Sequence, residues 1–226
     1  MKRMTWMPLV LTLAFTSPVP AQMGMDLFKR PGFTKVFRPV VGQGAEYQIA
    51  TDSGANAKSR TMQMGIVGKE SVEGKEGYWM QMVIQNEQGQ VLLSKMLMGG
   101  TDFQPYRMII QPPGQPAMEM PMNVAASNRG KIAESMQDWH SVGTETITVP
   151  AGTFSCEHWK NDKTGGDVWT SDKVAPFGMV KEVGKDHSMV LTKVLTDFPD
   201  RITGPVQKFD PQMMMQQMQQ GRQPQP

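Results

Sequence analysis

Residues Thr144–Val183, TETITVPAGTFSCEHWKNDKTGGDVWTSDKVAPFGMVKEV, contain the strongest fold signal of the chain. Polar and apolar residues alternate in Thr144–Val149 and again in Thr153–Trp159, which is the period-two pattern of half-buried strands. Between these segments, Pro150 fixes its own φ and Gly152 tolerates positive φ, so a tight turn joins them. Connections this short join antiparallel strands. The stretch therefore predicts an antiparallel meander.

The same alternation predicts further strands before and after this stretch. Two short segments, Met25–Lys29 and Lys131–Met136, are compatible with helices. The predicted strands, in chain order, are Ala45–Thr51, Lys58–Gly68, Tyr78–Gln85, Val91–Met98, Arg107–Gln111, the run Met118–Met122, Val168–Thr170, Met179–Val183 and Ser188–Thr196.

The run ITVPAGTFSCEHW, followed by DVWTSDKVAPFGMVKEV, resembles strand-turn-strand modules of exported bacterial proteins related to the outer-membrane lipoprotein carriers, the LolA/LolB-like proteins. The resemblance extends over Thr144–Leu195. It implies a mainly β (α+β) fold, in which a strongly curved antiparallel sheet forms an unclosed half-barrel with one or two short helices. It also implies an apolar cavity for acyl chains. It implies no catalytic residue.

The first residues have the features of a secretory signal peptide. Lys2 and Arg3 form a basic start, and Trp6–Phe15 is an apolar core too short to span a bilayer. Small residues at Val19 and Ala21 predict cleavage after Ala21. No cysteine follows the apolar core as a lipid-attachment site, so we expect a periplasmic or secreted protein without a transmembrane segment.

Composition limits the function classes. The chain has 23 Lys and Arg and 21 Asp and Glu, and loss of Lys2 and Arg3 leaves the mature chain formally neutral. A neutral chain without a basic stripe argues against a nucleic-acid partner. One cysteine, Cys156, excludes an internal disulfide framework.

These features divide the chain into three parts. Residues 1–21 form the signal peptide, and residues 22–198 form a single curved antiparallel β domain. Residues 199–226 are rich in Met, Gln and Pro with few branched aliphatic side chains, which predicts a disordered tail.

Alternating methionines are the chemical peculiarity of this sequence, which contains 22 methionines. Four pairs of methionines lie two residues apart on predicted strands, so the two members of each pair share one face of the strand. The pairs are Met62 and Met64, Met80 and Met82, Met96 and Met98, and Met118 and Met120. Such flexible, polarizable side chains fill irregular gaps in a core, and they also line adaptable surfaces for apolar ligands such as lipids. The candidate ligand-binding residues are Met62, Met64, Ile66, Tyr78, Met80, Met82, Ile84, Met118 and Met120.

A second interpretation of the methionines is a Cu(I) site, because thioether and thiolate sulfur bind soft ions. Its candidate ligands are Met118, Met120, Met122, Cys156 and His158. Cys156 and His158 lie two residues apart on one predicted strand and therefore share a face. The alternative is that Cys156 packs as a small apolar residue and that His158 is a surface or hydrogen-bonded residue.

No catalytic motif is present: the sequence has no G-x-S-x-G, S-x-x-K, H-E-x-x-H or C-x-x-C. We therefore expect a protein that is not an enzyme and needs no cofactor. A third interpretation is a structural or interaction protein of the cell envelope, using a sheet edge or a dimer linked through Cys156. Trp159 and Trp169, on adjacent predicted strands, are candidates for a cross-strand aromatic contact.

Overall fold

The computed structural model describes residues 36–51, 58–72, 74–101, 104–120 and 138–208. None of these described residues is helical. The two predicted helices, Met25–Lys29 and Lys131–Met136, lie outside the described residues, as do the signal peptide and residues 209–226. No helix in the described ranges is long and apolar enough to cross a membrane.

The described residues form one twelve-stranded sheet in the order β12-β6-β5-β4-β3-β2-β1-β11-β10-β9-β8-β7. All neighbours are antiparallel except β12 and β6. This confirms the predicted fold class, a mainly β protein built on one unclosed sheet. The strands are β1 Gly44–Thr51, β2 Lys58–Val72, β3 Lys75–Gln85, β4 Val91–Gly99, β5 Pro105–Gln111, β6 Ala117–Met120, β7 Trp139–Val149, β8 Gly152–Asn161, β9 Gly166–Thr170, β10 Met179–Val183, β11 His187–Leu195 and β12 Val206–Lys208.

The sheet is strongly curved at its β7 end. Ala151 lies in the tight turn between β7 and β8, and its backbone N–H donates to the carbonyl oxygen of Leu191 on β11 at 3.4 Å. In the sheet order β8 is three strands away from β11. A flat sheet would hold those strands about 14 Å apart, so the strands between them must bend.

The hairpin of β2 and β3 is longer than the sequence predicted. The sequence predicts strands at Lys58–Gly68 and Tyr78–Gln85, but β2 continues to Val72 and β3 begins at Lys75. The charges pair across the two strands: Lys69 Nζ lies 3.2 Å from Glu76 Oε2. Lys69 lies opposite Tyr78 and Glu76 lies opposite Ser71, so the two charges are diagonal neighbours. Because opposite charges at such positions stabilise each other, a polar segment can extend a hairpin here.

The two faces of the β1–β6 region carry different side chains. The methionine face carries Tyr47, Met64, Met80 and Met96, which are buried in one core cluster. The strap face carries a second, smaller cluster with Trp79, Leu97, Ile109, Ala117 and Ile202.

Residues 196–208, which we call the C-terminal strap, cross the strap face and end in β12. The side-chain amide of Gln81 donates to the Pro199 carbonyl oxygen at 3.0 Å and accepts from the Arg201 N–H at 2.9 Å. Lys95 Nζ lies 2.6 Å from Asp200 Oδ2. β12 then pairs with β6 in parallel, with Val206 opposite Ala117. Here the structure differs from the predicted disordered tail at 199–226. Contacts with residues more than 100 positions away hold Pro199 and Asp200, and pairing with β6 holds residues 206–208.

Candidate functional site

The methionine face carries the residues predicted to bind an apolar ligand. The structure brings them together, and their role in binding stays a prediction. Ile84 packs half-buried against the core cluster, and Met118 and Met120 are half-buried on β6. The six other predicted residues are all buried in that cluster: Met62, Met64, Ile66, Tyr78, Met80 and Met82.

Register arranges the methionines in a row across four strands. Met80 on β3 lies opposite Met96 on β4, Met96 lies opposite Met108 on β5, and Met108 lies opposite Met120 on β6. Opposite residues of antiparallel strands have Cβ atoms about 4.5–5.5 Å apart, so neighbours in this row are within side-chain contact. A second row joins Ile110 to Met118.

Exposure rises along the row towards the edge of the sheet. Met80 is 2% exposed and Met96 is 7% exposed, whereas Met108 and Met120 are half-buried. Ile110 and Met118 are half-buried as well. We call the four half-buried side chains the wing patch: Met108, Ile110, Met118 and Met120.

The sequence prediction missed half of the wing patch. Met108 and Ile110 lie on the predicted strand Arg107–Gln111, two positions apart, so their shared face was visible in the alternation. Met108 was overlooked because it has no methionine two residues away. Met122, the third methionine of the run, lies outside the described residues.

Aromatic side chains close the methionine face over β1–β3. The Phe37 ring stacks on Phe177 with centroids 5.3 Å apart, and it meets the Tyr78 ring edge-on at 6.2 Å. The Tyr47 hydroxyl donates to the Met179 carbonyl oxygen at 3.1 Å. Burial raises the pKa of Tyr47 well above its ordinary value. This part of the face is therefore core, in contrast to the wing patch.

Cys156 packs in the core as a free thiol. It is 0% exposed, and its Sγ donates to the Phe154 carbonyl oxygen at 3.7 Å. Burial, and then the negative charge of Glu145, raises the pKa of the thiol to about 11. A Cys156-linked dimer, expected from the structural alternative, would require this buried sulfur to reach the surface.

We predict that Cys156 reacts slowly with iodoacetamide in the folded protein. Burial favours the neutral form, so with a pKa of about 11 roughly one thiol in a thousand is ionised at pH 8. In urea the thiol regains its ordinary pKa, and alkylation should be about 100-fold faster or more. Mass spectrometry of timed aliquots measures both rates. Equal rates in the two states would contradict the buried thiol.

His158 is not available to a metal together with Cys156. Its Nδ1 lies 2.9 Å from Glu145 Oε1 and its Nε2 lies 2.7 Å from Asp167 Oδ1. Each ring nitrogen therefore has a carboxylate oxygen within hydrogen-bond distance. The predicted metal pair of Cys156 and His158 is therefore not formed, because the thiol is buried and both ring nitrogens face carboxylates.

The expected contact between Trp159 and Trp169 is also not formed. His158 lies opposite Trp169, and Trp159 lies opposite Val168. The two tryptophans therefore point to opposite faces of the sheet. Trp169 instead stacks on the His158 ring at 4.4 Å, with Lys181 Nζ 4.9 Å from its ring centroid.

The described ranges contain no group of three or more His, Cys, Asp or Glu side chains placed to hold a metal ion. The other two histidines, His140 and His187, each lie near a carboxylate as well. His140 Nδ1 lies 3.5 Å from Asp162 Oδ2, and His187 Nε2 lies 2.9 Å from Glu182 Oε1.

No protein-family model matches the chain, and no curated protein matches it. One similar solved structure is a Bacteroides fragilis NCTC 9343 protein described as exported and as having a YmcC-like fold. It is 12% identical over 70% of this chain and 98% of that chain, with a TM-score of 0.37. A second, described as a lipoprotein of Parabacteroides distasonis ATCC 8503, is 15% identical over 71% of this chain and 98% of that chain, with a TM-score of 0.37.

Proposed function

We propose that this chain is an exported, non-enzymatic binding protein that holds an apolar ligand, a lipid or a lipidated chain, against the wing patch. The observation that carries the proposal is the change in exposure along the methionine row. Its β3 and β4 members are core residues, and its β5 and β6 members are half-buried. The row thus supplies a rigid base and an accessible apolar surface.

The wing patch has the chemistry of an adaptable acyl-chain site. Three of its four side chains are methionines, whose unbranched thioethers change rotamer at low cost and fit ligands of variable shape. Each ligand methylene removed from water contributes about 0.8 kcal/mol. Eight to ten buried methylenes would therefore contribute about 6–8 kcal/mol against an association cost of about 4–15 kcal/mol.

The export part of the proposal rests on the first 21 residues. Their basic start, short apolar core and small residues before Gln22 are those of a cleaved signal. The resemblance of Thr144–Leu195 to the lipoprotein carriers agrees with a lipid or a lipidated chain as the ligand. An envelope protein is then the natural donor or acceptor of that ligand.

Native mass spectrometry tests the proposal. The full precursor is expressed in a bacterial host, and the protein is purified from the periplasm without detergent. We expect a chain that begins at Gln22, carries a lipid of defined mass and takes up a fluorescent fatty acid after delipidation. A chain without bound lipid that also takes up no fatty acid would contradict the proposed ligand.

A further inference from the structure

We propose that Met96, Met108 and Met120 bind one soft monovalent cation, Cu(I) or Ag(I), through their three thioether sulfurs. This site differs from the Cu(I) ligands suggested by the sequence, which were Cys156, His158 and the methionines of the single run Met118–Met122. It uses three neighbouring strands instead, and register brings its members together.

The geometry suits a three-sulfur site. Met108 lies on the middle strand, directly opposite Met96 on one side and Met120 on the other. With Cβ atoms of opposite residues about 4.5–5.5 Å apart, both outer side chains can lean over Met108. Methionine has three rotatable side-chain bonds, so the sulfurs can converge on an ion without movement of the backbone.

Burial provides both support and access. Met96 is 7% exposed and is fixed in the core cluster, so it forms the closed side of the site. Met108 and Met120 are half-buried, which leaves an entry path from solvent. A soft ion that sheds its water there would be held in an apolar environment.

Charge and ligand softness select the ion. On β4–β6 the charged side chains Lys95, Arg107 and Glu119 belong to the strap face, where Arg107 Nε lies 2.7 Å from Glu119 Oε1. The methionine face of these strands therefore presents neutral sulfur, which Cu(I) accepts and which Mg²⁺, Ca²⁺ and Mn²⁺ do not favour. We expect competition by Ag(I) and none by Ca²⁺ or Mg²⁺.

Substitution of methionine by leucine tests the role of the thioether sulfur without a large change in packing. The exchange conserves volume and apolar character, so it is tolerated in packed regions. Met108→Leu removes the central sulfur and keeps the apolar surface. Met118→Leu is a matched control, because Met118 is half-buried on the same strand as Met120 but belongs to the neighbouring row.

The test is a competition for Cu(I) between the full exported chain and a chromophoric chelator, under anaerobic conditions. We expect the wild type and Met118→Leu to withdraw one Cu(I) each. Met108→Leu and Met120→Leu should each bind Cu(I) about tenfold more weakly or worse, while all four proteins unfold at similar temperatures. The metal site is overturned if the wild type leaves the chelator colour unchanged, or if Met108→Leu and Met120→Leu withdraw Cu(I) as well as Met118→Leu.

Discussion

Replacement of Gln81 by leucine is expected to release the C-terminal strap and to lower the free energy of unfolding by about 1–3 kcal/mol. The Gln81 side chain is 0% exposed, and its amide makes hydrogen bonds to the backbone of Pro199 and Arg201, on either side of Asp200. Leucine fills a similar space but leaves the Pro199 carbonyl and the Arg201 N–H without their partners. In the released strap these backbone groups regain water, so the cost is that of the two lost hydrogen bonds, about 0.5–1.5 kcal/mol each. Urea unfolding measures the loss.

Hydrogen exchange locates the same effect on the chain. In the Gln81→Leu protein, amides of 199–208 should exchange much faster, while those of β1 and β2 stay protected. Gln85→Leu is the matched control, since Gln85 points to the same face of β3 at its exposed end. Equal protection of the strap in the two variants would mean that Gln81 does not hold it.

Replacement of Ile110 by aspartate is expected to weaken fatty-acid binding by about thirtyfold or more. Ile110 is half-buried in the wing patch, next to Met118 on the paired strand. A carboxylate at this position would lose its water when an acyl chain covers it. Burial of an unpaired polar group costs about 2 kcal/mol or more, which corresponds to that change in affinity.

Titration with a fluorescent fatty acid measures this loss, and thermal unfolding shows whether the variant keeps its fold. Val142→Asp is the matched control. Val142 is 49% exposed on β7, at the opposite edge of the sheet, so it should bind as the wild type does. If Ile110→Asp binds with wild-type affinity while folded, the ligand does not lie on the wing patch.

Local pattern was sufficient to predict the fold class and most of the strands. Ala45–Thr51 and Met179–Val183 were predicted within one residue of β1 and β10. In these segments the alternation of polar and apolar residues and the flanking turn residues predict the same strand ends, so tertiary contacts do not shift them. The ends of β2 and β7 were predicted less well. At Lys69–Val72 and Trp139–Gly143, polar side chains pair across strands or face solvent at an edge, and their composition resembles that of a turn.

The candidate site was predictable only in part, because alternation fixes a face but not a register. The pattern placed Met118 and Met120 on one side of a strand. It contained no information on which residue of β5 lies opposite them. Pairing of Met108 with both Met96 and Met120 depends on the lengths of two connecting turns. The same limit left Cys156 and His158 open as metal ligands in the sequence.

The C-terminal strap was missed for a different reason. Its residues have a loop-like composition, and they are ordered by partners far away in sequence, such as Gln81 and Lys95. A glutamine on a predicted strand does not indicate which distant backbone segment its side chain will hydrogen-bond. Parallel pairing of β12 with β6 was equally invisible, because it joins segments about 90 residues apart.

The most direct test of the binding account is NMR of the protein labelled with ¹³C on its methionine methyl groups, before and after addition of a fatty acid. Methionine-to-leucine variants assign the signals. We predict that the signals of Met108, Met118 and Met120 shift on ligand addition, while those of Met179 and Met189, buried on β10 and β11, do not. Unchanged signals for all three wing-patch methionines, with the fatty acid bound, would contradict the account.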